Sequence, residues 1–141
     1  MPNNMDFQIT SAAGELLTAG KLFKRGYQVS VTFGNAKAID LFVFNSQTAK
    51  TFNVQVKTQR QKNCFPLKRE RVDEQHIYVF VRLNEFTENE EFFIVSGKTL
   101  LEDTNRFFGS SYSNPQKPSS MPTVNYGPLK PYKDNWQVFD E

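Results

Sequence analysis

The chain has 141 residues, a formal net charge of +2, 38% hydrophobic residues and 14% aromatic residues, enough apolar material for the core of one domain and too much for a disordered chain. No apolar run reaches the ~18 residues that span a bilayer, and the start (MPNNMDFQIT) lacks a charged-then-apolar leader, so a soluble, cytoplasmic protein without membrane contact is expected. The single cysteine, Cys64, excludes an internal disulfide framework and a multi-cysteine zinc site, and the single histidine, His76, excludes a two-histidine metal site; any chemistry runs on carboxylates, amides and lysines.

The first predicted element is a helix over Ile9–Arg25. Ala12, Leu16, Ala19 and Phe23 recur at helical spacing and form one apolar stripe, expected to face the core. Thr10 or Ser11 can cap its start and Gly26 its end. Glu15 sits on the shoulder of that stripe, beside Ala19 and Leu22, an unusual place for a purely solvating acid.

Three strand signals follow. Tyr27, Val29, Val31 and Phe33 alternate with polar residues, the period of a half-buried strand, and Gly34-Asn35 supplies a turn. Ala38–Phe44 (AIDLFVF) is almost continuously apolar, as in a strand covered on both faces, with Asp40 as its one polar interior residue. In Thr51–Lys57, Phe52, Val54 and Val56 point one way while Asn53, Gln55 and Lys57 point the other.

Residues 58–75 are polar and basic and are expected to form a loop with a short helix around Lys68–Glu74. Ile77–Leu83 and Glu91–Val95 read as strands joined across an acidic turn holding Glu85, Glu88 and Glu90, and Thr99–Phe108 reads as a helix ending near Gly109. An α/β domain is therefore assigned to residues 1–109. Beyond it, Pro115, Pro118, Pro122, Pro128 and Pro131 exclude a long helix or central strand, leaving a 110–141 extension whose Trp136, Val138 and Phe139 can dock on the domain, the rest being partly mobile. Tyr112, Tyr126 and Tyr132 are read as fastening this extension to the surface, with stacking on bases as the alternative.

The candidate chemistry centres on Asp40. A carboxylate inside an apolar strand costs several kcal/mol unless it has a partner, a metal or a cleft. Gln55 and Lys57 project from one face of the next strand, where an antiparallel register can bring them to Asp40, and the preceding helix can deliver Glu15. The plain alternatives are a structural Asp40–Lys57 ion pair and ordinary exposed strand residues. Gln59 is a further helper candidate.

Glu15 on a first helix, Asp40 in a strand and Gln55-Val56-Lys57 in the next strand resemble the motif of the PD-(D/E)XK, or restriction-endonuclease-like, nuclease superfamily. The resemblance covers residues 9–95. Ile39 stands where a proline often precedes the aspartate, and Gln55 replaces the usual acid, a QXK variant. It implies an α/β fold with an α-β-β-β-α-β core, a central mixed sheet flanked by helices. It also implies a metal-dependent DNA endonuclease with Glu15, Asp40, Gln55 and Lys57 as catalytic residues. Mg²⁺, or Mn²⁺, would be held by Asp40, Gln55, the backbone carbonyl of Val56 and Glu15, because a hard cation prefers oxygen ligands. The basic run of Arg60, Lys62, Lys68, Arg69 and Arg71 would hold DNA phosphates beside the metal. So small a domain calls for a homodimer or a partner protein to supply specificity, and in a symmetric dimer each subunit can cut one strand. The alternative is a catalytically inactive nucleic-acid-binding or structural domain that keeps the nuclease fold, motivated by the lost acid at Gln55.

Overall fold

In the computed structural model, which describes residues 4–34, 38–84, 88–109 and 122–141, the chain opens with helix α1 (Asn4–Lys24). It begins earlier than the expected Ile9, so Thr10 is not a cap; it lies inside the helix, and its hydroxyl accepts a hydrogen bond from Arg60 Nε at 2.7 Å. The helix ends as expected at Gly26, whose φ of +94° suits glycine. Gly26 N–H donates to the Phe23 carbonyl and Tyr27 N–H to the Leu22 carbonyl, the paired bonds that close a helix in the Schellman manner.

The face α1 buries is not the expected stripe. Of Ala12, Leu16, Ala19 and Phe23, only Ala19 reaches the core; the buried side is Thr10, Gly14, Thr18, Ala19 and Leu22. Small residues win because the helix lies very close to the sheet: a Cβ on Gly14 would stand 1.7 Å from Thr58 Oγ1. Gly14→Ala is accordingly expected to push α1 off the sheet and cost about 2–3 kcal/mol, read as a lower denaturant midpoint; an unchanged midpoint would contradict this packing.

The sheet comprises β1 (Gln28–Val31), β2 (Leu41–Asn45), β3 (Lys50–Arg60), β5 (Ile77–Leu83) and β6 (Glu91–Ser96), in the order β1-β2-β3-β5-β6. β3 and β5 run parallel and the other neighbours antiparallel, giving the mixed sheet expected. Two short strands, β4 (Cys64–Pro66) and β7 (Thr123–Asn125), pair separately. β4 and a single 3-10 turn at Arg69–Arg71 make the crossing from β3 to β5, where a second core helix was expected. Pro66 and the absence of an apolar stripe leave no helix-length face there to bury.

One face of the sheet packs on α1 through Leu22, Leu41, Val43, Val54, Val79 and Ile94, joined by Trp136 and Phe139 from the C-terminus. The other face is covered by Phe65, Leu100, Phe107, Val124 and Leu129 over Tyr78, Phe80 and Phe93. Hence β5 is apolar from Ile77 to Val81 and β6 from Phe92 to Val95. β2 is not covered twice, as its sequence suggested: Phe42 is 45% exposed, the strand starts only at Leu41, and Asp40 stands just before it. The helix expected over Thr99–Phe108 is two short ones, α2 (Gly97–Glu102), capped by Ser96 Oγ accepting from Thr99 N–H, and α3 (Thr104–Phe108).

From residue 122 onward the chain runs back across the domain through β7, α4 (Tyr126–Leu129) and a final 3-10 segment, Trp136–Asp140. Asn45 Nδ2 donates to the Phe139 carbonyl at 2.9 Å, and the Tyr27 hydroxyl donates to Asp140. Tyr126 donates to Glu91 Oε2 at 2.8 Å, beside Arg82 and Lys133. Burial would raise the Glu91 carboxyl, but these partners outweigh it and hold it below the usual range. Tyr132 packs on Phe107. Asn35, Glu85 and Tyr112, named in the sequence reading, lie outside the described residues.

Candidate active site

The site begins where β2 and β3 part. Their ladder stops at Leu41 opposite Val54, with Asp40 N–H donating to the Val54 carbonyl at 3.0 Å. β3 runs on to Arg60, so the N–H of Val56 faces an edge that β2 no longer covers. Asp40 Oδ2 accepts that N–H at 2.8 Å, a carboxylate oxygen standing in for the missing ladder carbonyl. Asp40 is itself anchored from β1's side, its carbonyl accepting from Thr32 N–H and Thr32 Oγ1, each at 3.0 Å.

Lys57 follows on the same strand. Burial pulls its pKa below the ordinary lysine value; Asp40 acts in the opposite sense, and Arg71 adds a further downward push. The ammonium therefore stands in the fields of one carboxylate and one guanidinium. Glu15 is delivered by the close approach of its neighbour Gly14 to Thr58. Together Glu15, Asp40, Val56 and Lys57 line one cleft of about 480 Å³, whose other walls include Gln8 and Ser11 from α1 and Thr58 and Gln59 from β3.

Gln55 is a correction to the expected cluster. It is not among the cleft-lining residues, and its Nε2 donates to His76 Nδ1 at 2.9 Å and to the Tyr78 hydroxyl at 3.2 Å. The cause is register: Gln55 lies directly opposite Tyr78 across the parallel β3–β5 pair, where buried polar groups need partners. His76 Nε2 in turn stands 3.4 Å from Asp73 Oδ2, so both ring nitrogens have neighbours here.

Arg60 is a second correction. It is half-buried and braces β3 against α1 through Thr10, whereas Lys62, Lys68, Arg69 and Arg71 are exposed. Gln8, Ser11 and Thr58 were missed; the first two sit two turns and one turn before Glu15 on the same flank of α1, a spacing visible in the sequence.

Among the described residues no three His, Cys, Asp or Glu side chains gather as a ready-made metal site. The cleft instead offers two carboxylates, Glu15 and Asp40, and the edge of β3 at Val56. An all-oxygen set of this size suits a hard cation that keeps several waters. No described helix is long and apolar enough to cross a membrane.

No family model and no curated protein matches the sequence. Among solved structures the chain is similar to a bacterial homing endonuclease, I-Ssp6803I, with a TM-score of 0.56 over 99% of this chain and 94% of that one, at 14% identity. The likeness is one of architecture: the chain has a nuclease-like fold.

Proposed function

We propose that this nuclease-like chain is a metal-dependent DNA endonuclease that hydrolyses phosphodiester bonds in the cleft between α1 and the free edge of β3. The observation that carries the reading is the meeting of Glu15, Asp40, Val56 and Lys57 on one cleft, in a fold shared with a homing endonuclease.

Asp40 would be the principal ligand of a bound cation, its carboxylate already oriented by the Val56 N–H. The Val56 carbonyl lies on the same uncovered strand edge, and Glu15 completes the set directly or through water. When bound there, Mg²⁺ or Mn²⁺ supplies positive charge to the phosphate oxygens and acidifies a water. Lys57 is placed to orient the attacking water and to stabilise negative charge growing on the phosphoryl group. Gln55-Val56-Lys57 takes the place of an acid-X-lysine triplet, with Gln55 acting as a neutral buttress on His76 and Tyr78 rather than as a ligand. Lys62, Lys68, Arg69 and Arg71, all exposed, hold the DNA backbone.

The test is nicking of supercoiled plasmid by the purified chain. Nicking is expected with Mg²⁺ or Mn²⁺ and not with EDTA, and it should disappear in Lys57→Ala. Identical nicking by that variant would mean contamination and end the catalytic reading. Salt-sensitive DNA binding without metal uptake or cleavage would favour an inactive binding domain, the reading that the displaced Gln55 side chain supports.

A further inference from the structure

The outward side of α1 is apolar and is left exposed by the described residues. Ile9, Leu16 and Phe23 are 47%, 58% and 55% exposed, and Ala12 and Gly20 between them are exposed as well. At about 100° per residue these five positions fall within about 40° of one line down the helix. No charged residue interrupts the line; Glu15, Lys21 and Lys24 all lie off it. Gly20 has no reason to be glycine in the isolated chain. Its φ is not positive, and a Cβ there would meet nothing within 4 Å. Gly14, by contrast, is demanded by Thr58. A glycine in mid-helix with open space above it fits the close approach of another backbone.

We propose that this face pairs two copies of the chain, their α1 helices antiparallel about a two-fold axis at Leu16. The occupant follows from the symmetry of the stripe. Antiparallel pairing centred on Leu16 sets Ile9 against the second copy's Phe23, Ala12 against Gly20 and Leu16 against Leu16: large on large at the ends, small on small between. A two-fold interface needs this self-complementarity. Charge selects the antiparallel sense. Parallel helices would bring Lys21 and Lys24 of both copies together. Antiparallel ones hold the two Lys24 residues about 24 Å apart along the axis and set each positive helix end beside the partner's negative one.

The arrangement has a consequence that rests on the endonuclease reading. Gln8, Ser11 and Glu15 all lie on one flank of the stripe. A two-fold axis perpendicular to both helices carries that flank to the same side of the pair. Both clefts then open on one side, toward one duplex.

Sedimentation velocity of the full chain over about 1–100 µM, in EDTA and without DNA, tests the pairing apart from any cleavage. A concentration-dependent dimer is expected, with Leu16→Glu weakening it by about 30-fold or more. Gly20→Leu should weaken it too while keeping the circular dichroism of the fold, because space is open there. In a Cys64→Ser background, Leu16→Cys should form an intermolecular disulfide readily and Lys21→Cys should not, since only the former lies on the axis. A chain that stays monomeric at 100 µM, with or without binding anionic phospholipid vesicles, overturns the proposal, as does a dimer indifferent to Leu16→Glu. A monomer that nicks plasmid overturns the pairing alone; a dimer that never nicks overturns the nuclease reading alone.

Discussion

Asp40→Asn is expected to keep the fold and lose the cation, whereas Asp40→Ala loses the cation and part of the fold's stability. The difference follows from the two tasks of one carboxylate. Oδ2 accepts the Val56 N–H at 2.8 Å where β2 has left the strand edge, and Val56 is buried. An asparagine oxygen can still accept that bond. Alanine cannot, and an N–H left without a partner costs about 1–3 kcal/mol. Cation binding needs the charge, which both substitutions remove. Residues that merely orient a metal ligand contribute about 10–100-fold to affinity, so loss of the principal ligand should cost about 100-fold or more. Calorimetric titration with Mn²⁺ and denaturant midpoints separate the two effects. Unchanged Mn²⁺ affinity in Asp40→Asn would remove Asp40 from the site, and equal midpoints for the two variants would deny the structural role of the hydrogen bond.

Lys57→Met should abolish cleavage without weakening the fold. Its ammonium is largely buried, and burial together with Arg71 lowers its pKa despite Asp40. The folded value therefore lies below the unfolded one. Between those two values the unfolded chain holds more protons, so the wild type gains stability as pH rises through that window, and below it charged Lys57 works against folding. Methionine keeps the stem and removes the charge. The expectation is a fall in cleavage of about 1,000-fold or more with a Tm equal to or above that of the wild type, and a smaller rise in Tm with alkaline pH. A variant that melts well below the wild type would make Lys57 a structural ion-pair partner of Asp40 instead.

The strands with the clearest patterns were legible at once. Ile77–Leu83 coincides with β5, and the apolar runs Ile77–Val81 of β5 and Phe92–Val95 of β6 are buried on both faces. Alternation in β3 correctly separated Val54 and Val56 from Gln55 and Lys57. What pattern could not reveal was which face of a helix turns inward when both faces could be buried. In α1 Leu16 and Phe23 lost to Thr10, Gly14 and Thr18, because close approach to β3 at Gly14 requires small side chains. Likewise the run AIDLFVF concealed that Asp40 stands outside β2, at the point where pairing ends.

By itself, then, the sequence determined an α/β succession of elements and named Glu15, Asp40, Gln55 and Lys57 as groups able to share a site, because period and residue chemistry are local properties of the chain; the mixed sheet was implied by the family resemblance. Only the tertiary structure decided that Gln55 turns to His76 and Tyr78 and that Arg60 braces α1. It also decided that Ile9, Leu16 and Phe23 face outward while Leu22 faces the sheet. Each of these outcomes depends on which polar group or surface lies across from the residue in space, and register and close packing set that neighbour.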